Sequence, residues 1–171
     1  MVALACSGDT GRAQSGFVPV TGDRVGRLAV GASATTLGRY GTVVRDTVEY
    51  YEFETAPESV RVVVLRGDSL RAIVDSGRIR RFDITSRRFR TADSLGVGTA
   101  LSRLLTYPDV SAQNWDGTVW VRVPSHCGLS FRLSAAVAPP ESSRVSPVAL
   151  ATLSESTRVV EVVAFGCHLL R

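Results

Sequence analysis

The chain has 171 residues and a mass of 18.3 kDa, and 44% of it is hydrophobic, 21% charged and 7% aromatic; this suits one folded domain and excludes a disordered or collagenous chain. No run approaches the roughly 18 apolar residues that a membrane-spanning helix needs. All 20 basic residues are arginine, which excludes Schiff-base lysine chemistry and a phosphate-loop lysine, while the net charge of +4 permits an anionic partner without demanding one.

At the N-terminus, Val2-Ala3-Leu4-Ala5-Cys6-Ser7 looks like the end of a bacterial lipoprotein signal, in which small and apolar residues precede the cysteine that is cut and lipidated. The stretch before Cys6 is too short for the charged segment and the roughly 7–15-residue apolar core of a secretory signal. Residues 1–5 are therefore taken as the remnant of a longer leader, with an ordinary N-terminus carrying a free thiol as the alternative. Residues 6–24, rich in Gly, Ser, Thr and Asp, are expected to be a flexible tether. The folded domain is expected over residues 25–171.

Within that domain a phrase recurs. Leu28-Ala29-Val30-Gly31-Ala32-Ser33 is followed by Leu37 and Tyr40-Gly41, and Leu95-Gly96-Val97-Gly98-Thr99-Ala100 by Leu101, Leu104 and Tyr107-Pro108. In each copy a small or hydroxyl residue after the glycine can cap a short helix, and Gly or Pro after the tyrosine stops it. β-rich sequence follows both. The expected class is α+β, in two imperfect repeats over about 25–92 and 93–171, each a short helix packed on an antiparallel β-meander.

The first meander is read from Val60–Arg66, a turn at Gly67-Asp68-Ser69, Leu70–Val74, a turn at Asp75-Ser76-Gly77, and Arg78–Thr85. In the second, Asp116-Gly117 turns into Thr118–Val123. Leu129, Phe131 and Leu133 alternate with Ser130, Arg132 and Ser134 as inner and outer faces. Ala135–Pro147, with three prolines, is a loop. A last strand runs from about Arg158 to Cys167, with Glu161 interrupting its alternation.

Cys127 and Cys167 would meet an oxidising compartment if the protein is exported, and are expected to pair. The loop so closed is one for which chain entropy gives roughly 4 kcal/mol. His126-Cys127 and Cys167-His168 also mirror each other as zinc ligands, although neighbours on a strand point to opposite faces and grip one ion poorly. Two free thiols are the third alternative, and no metal or other cofactor is assigned.

The glycine phrases, the short Leu-containing helices ending in Tyr-Gly or Tyr-Pro, the meanders and the lipobox-like Cys6 together resemble small envelope lipoproteins of the outer-membrane assembly lipoprotein and β-lactamase-inhibitor-protein superfamily. That resemblance implies a helical layer on an antiparallel sheet, sometimes in tandem copies, and a binding or assembly role without catalysis. The chain departs from the single-repeat members by carrying two copies.

Several motifs invite catalytic readings. Gly67-Asp68-Ser69-Leu70 spells the nucleophile block of the GDSL esterases, but no Asp stands three residues before His126 or His168 and Asn114 is the only Asn; a turn explains the same letters. The overlapping Arg66-Gly67-Asp68 has the spelling of an integrin-binding tripeptide. Glu49, Glu52 and Glu54, around Tyr50, Tyr51 and Phe53, fit cross-strand ion pairs better than an acid/base pair. Between 78 and 90, Arg78, Arg80, Arg81, Arg87, Arg88 and Arg90 form the candidate anionic-partner surface, against a solvated face that protects an edge strand. Tyr50 or Tyr51 and Trp115 or Trp120 are the candidate anchors for a protein partner.

The expected function is a non-catalytic cell-envelope lipoprotein, exported, lipid-anchored through Cys6 and favoured for the outer membrane. It would act as a binding or assembly module for an envelope protein or anionic envelope component. A small esterase using Ser69 and a soluble ligand-binding domain are the alternatives. Nucleic acid is not an expected partner.

Overall fold

The structure is a computed structural model that describes residues 16–50, 57–115, 117–136 and 144–167. In chain order the elements are β1 (Val18–Thr21), β2 (Arg24–Val25), β3 (Leu28–Ala29), α1 (Thr36–Tyr40), β4 (Thr42–Glu49), β5 (Glu58–Leu65), β6 (Asp68–Asp75), β7 (Arg78–Ile84) and β8 (Phe89–Arg90). They continue with α2 (Leu101–Leu104), β9 (Ser111–Trp115), β10 (Thr118–Arg122), a 3-10 turn at Pro124–His126, β11 (Leu129–Ala136), β12 (Arg144–Val145), α3 (Pro147–Ala151) and β13 (Val159–Ala164).

The turns explain why the strands pair as they do. Arg66 and Gly67, with φ of 51° and 88°, join β5 to β6, and Ser76 and Gly77, at 48° and 74°, join β6 to β7. Two consecutive left-handed residues make the hairpin turn whose twist matches the flanking strands. The first turn therefore lies one residue earlier than expected, at Arg66-Gly67, and Asp68 and Ser69 belong to β6.

The expected α+β class is corrected: the protein is mostly β. One sheet has nine strands, in the order β12-β9-β10-β11-β13-β7-β6-β5-β4, and a second has four, β3-β2-β1-β8. The helices have five, four and five residues, about a turn each, because Gly41 and Pro108 stop the chain soon after each phrase. Such pieces cannot form a layer. The small sheet covers the inner face with them, and it recruits sequence expected to be tether: Val18 and Val20 of β1 are buried, and β1 pairs in parallel with the distant β8.

The two glycine phrases occupy corresponding places. Gly31 donates its N–H to the Ile79 carbonyl at 2.7 Å and Ile79 returns one to Ala32 at 2.9 Å, at the start of β7. Gly98 donates to Val159 at 2.7 Å and Val159 to Thr99 at 2.8 Å, at the start of β13. The glycines have φ of 82° and 89°, a region that side chains disfavour. β7 and β13 then meet antiparallel at mid-sheet, with Asp83 opposite Val163. The sheet thus has a β4–β7 half and a β9–β13 half.

One apolar core fills the inner side. It joins Leu70, Phe82, Ile84, Val119, Val121, Phe131 and Val162 of the large sheet to Val20, Leu28 and Phe89 of the small one, and to Leu37, Leu104 and Leu150 of the helices.

Candidate functional site

Residues opposite one another across antiparallel strands share a face. The register therefore sets one outer row, Arg144–Gln113–Trp120–Arg132–Glu161, and beside it Ser111 opposite Arg122. Their strand neighbours Ala112, Val119, Val121, Phe131 and Val162 point into the core.

In the β4–β7 half most outer charges are matched, an exception being Arg45 of edge strand β4, which is exposed opposite Val62 and forms no ion pair among the described residues. Arg81 donates through Nη1 and Nη2 to both oxygens of Glu58, at 2.8 and 2.7 Å, and through Nε to Asp83 at 3.0 Å. Glu58 and Asp83 are buried. Burial pushes the Asp83 carboxyl above its ordinary value against the pull of Arg81. Burial alone would lower the Arg81 guanidinium, but Asp83 and Glu58 outweigh it and raise it. Arg71 donates to Glu49 at 2.5 Å.

The β9–β13 half differs. Arg132 donates to Glu161 at 2.6 Å, but Arg122 and Arg144 are exposed and form no ion pair among the described residues. Together with Ser111, Ala112, Gln113 and Trp120 they line a shallow groove of about 300 Å³. The Arg122 guanidinium carbon lies 5.7 Å from the centre of the Phe165 ring, a cation–π distance, and the group makes no hydrogen bond among the described residues. Trp115, two residues beyond Gln113, is 67% exposed. The arrangement can accept an anion beside a flat ring.

The structure does not bring the six arginines of residues 78–90 onto one surface. Arg78 donates to the Gly31 carbonyl at 2.9 Å, and Arg81 is taken up by Glu58 and Asp83. Arg88 bonds Asp68 and the Gly16 carbonyl. Hydrogen bonds from Ser86 and then Arg88 hold the Asp68 carboxyl below its ordinary value. Arg90 threads a loop, donating to Arg87, Val97, Ser94 and Thr99. Arg80 and Arg87 remain exposed. Arg80, 3.8 Å from the Glu58 carboxylate, sits at a bulge: Arg81 faces Ile73 but Ile79 faces Val74, so Arg80 has no opposite residue.

Cys127 and Cys167 are joined as a disulfide, with Cα atoms 5.1 Å apart, so neither sulfur is open to zinc. The strand positions expected for them are corrected. Cys127 is exposed and precedes β11, and β13 ends at Ala164, before Cys167. The bridge clamps the β1–β2 turn, where Cys167 donates its N–H to the Asp23 carboxylate at 2.8 Å and Gly166 donates to the Gly22 carbonyl at 2.9 Å. Cys6, Tyr51, Glu52, Phe53, Glu54 and His168 lie outside the described residues.

Ser69 is exposed on β6, opposite Val64. His126 is elsewhere, with Nε2 3.0 Å from the Asp93 carboxylate and its ring edge-on to Tyr107 at 5.6 Å. Asp93 also accepts from Thr91 at 2.6 Å and from the Tyr107 hydroxyl. Burial would raise its carboxyl, but these three donors outweigh it and hold it down to about 2. The same contact raises the Tyr107 phenol. This latch ties the loop before Gly96 to the segment that follows α2 and to the residue next to Cys127. Sequence reading missed it, since nothing local links Asp93 to His126; it also missed Arg122, a single arginine within apolar sequence, and Arg144, a single arginine in the serine- and proline-rich segment read as a loop.

No protein-family model matches the chain. No curated protein matches it either. Among solved structures, that of the uncharacterized protein YfeY from Escherichia coli superposes with a TM-score of 0.64 at 16% identity, over 86% of this chain and 99% of that one. What the two chains share at that identity is the fold, over nearly the whole length of YfeY.

Proposed function

We propose that the protein is a non-catalytic binding module of the cell envelope, lipid-anchored through Cys6, that takes an anionic envelope component on the outer face of its β9–β13 half. One observation carries this reading: Arg122 and Arg144 stand exposed around Trp120 in one groove and form no ion pair among the described residues, whereas the other half of the sheet pairs most of its outer charges. Uncompensated guanidinium groups beside an aromatic ring are the donors a carboxylate or phosphate partner would use. Export and anchoring are supported by the residues around Cys6 and by the disulfide, which suits an oxidising compartment.

The test has two parts. Intact mass of the protein from its native host should start at Cys6 and carry acyl chains; an unmodified Cys6 there refutes the anchor. Binding to vesicles containing an anionic lipid should weaken with salt and fall in the Arg122→Gln, Arg144→Gln double variant. Binding equal in variant and parent would move the contact surface off this face.

A further inference from the structure

Resting on that reading, we infer that the groove at Trp120 takes an acidic sugar ring, its carboxylate held between Arg122 and Arg144. A volume of about 300 Å³ is at the small end of ligand sites, room for about one or two rings rather than for a loop of a folded partner. The floor is Trp120, held on the sheet between Gln113 and Arg132. A sugar ring has a C–H face that stacks on an indole and a rim of hydroxyls. Around the indole stand groups of both kinds that such a rim needs, the Gln113 amide and the Ser111 hydroxyl, each a donor and an acceptor. The two guanidinium groups then answer a carboxylate on the same ring.

Other anions fit less well. A nucleic acid strand needs a basic path with successive aromatic platforms, and the row beyond Trp120 ends in the Arg132–Glu161 pair, where Glu161 opposes the next phosphate. An acidic peptide adding as a strand would need the edge of β9 beside the groove, and β12 already occupies it at Ala112 and Gln113.

The chain has two tryptophans, so Trp115→Phe leaves Trp120 as the sole reporter of the groove. In the full chain with its disulfide intact, trigalacturonic acid should change Trp120 emission saturably. Arg122→Gln and Arg144→Gln should each weaken that binding about tenfold, and neutral maltotriose should give no response; unchanged circular dichroism checks that the variants fold. A response to pentaglutamate or inorganic phosphate as strong as that to trigalacturonic acid overturns the sugar assignment and leaves the anion-binding reading standing. An equal response to maltotriose, or no response to any probe, overturns both.

Discussion

Across the outer face of one continuous sheet, the β4–β7 half closes most of its charges on each other, leaving Arg45 of its edge strand unpaired among the described residues, and the β9–β13 half leaves two open around one tryptophan. Arg81 holds two buried carboxylates; Arg122 and Arg144 hold none. The contrast teaches that a guanidinium group serves either register or recognition. Where a carboxylate sits opposite it and water is excluded, its donors are consumed; where the opposite residue is Gln113 or Ser111, they stay available. With fewer charges to tie it down, the second half has other ties, the disulfide and the Asp93 latch. The tyrosines ending the two helical segments show it: Tyr107 bonds Asp93, whereas Tyr40 is exposed, with Arg39 over its ring and no hydrogen bond from its hydroxyl among the described residues.

The largest way to break this comparison is to remove the clamp. A Cys127→Ser, Cys167→Ser double variant should lose up to about 4 kcal/mol, measured by denaturant unfolding. Amide exchange should speed up first in β11 and β13; uniform loss across both halves would show that the bridge does not serve its own half.

Next comes Arg81→Met, expected to cost about 3 kcal/mol because it takes from buried Glu58 and Asp83 the cation they share, leaving Glu58 only the exposed Arg80 at 3.8 Å. The sign with pH follows from Asp83. Its carboxyl is raised in the fold, so the folded state holds that proton more tightly, and stability falls as pH rises from the ordinary carboxyl value through the raised one. Without Arg81 that window widens, so unfolding curves should show a larger loss at pH 8 than at pH 4. An equal loss at both would mean that solvent reaches the carboxylates.

The corresponding glycines sharpen the comparison. Gly31→Ala and Gly98→Ala each force a side chain into the left-handed region, at about 1–2 kcal/mol. An added Cβ meets nothing within 4 Å at Gly31 but approaches Arg87 Nε to 3.2 Å at Gly98. The Gly98 variant should have the lower melting temperature; the reverse order would mean that Arg87 moves aside freely.

The smallest effect is that of Asp93→Asn, about 1 kcal/mol after allowing for solvent screening of a side chain that is one-third exposed. Its folded carboxyl lies at about 2, below the usual 3.8, so its contribution is present above the usual value and is lost as pH falls from there towards 2. Acid titration of stability should show that loss in the parent and not in the variant.

Much of the sheet was legible because its signals are local. Left-handed turns need Gly, and Leu129-Ser130-Phe131-Arg132-Leu133 can bury one face only in one register. The α+β reading failed because a capped phrase marks where a helix starts, while the cover of the inner face came from strands of two to four residues, β1–β3 paired locally and β1 joined to the distant β8. Val18-Pro19-Val20-Thr21 alternates as a strand does, and that signal was available. Of the site, the tryptophans stood out by residue type. Its arginines did not, since density singled out residues 78–90, where most guanidinium groups are spent internally.

By itself, then, the amino-acid sequence determined the hairpins, the strand faces and the two glycine turns, since each depends on dihedral preference and alternation over a few residues. Only the tertiary structure decided which cations are spent. That depends on which strands are neighbours, and pairing β7 with β13 and β9 with β12 is set by burial summed over the whole core.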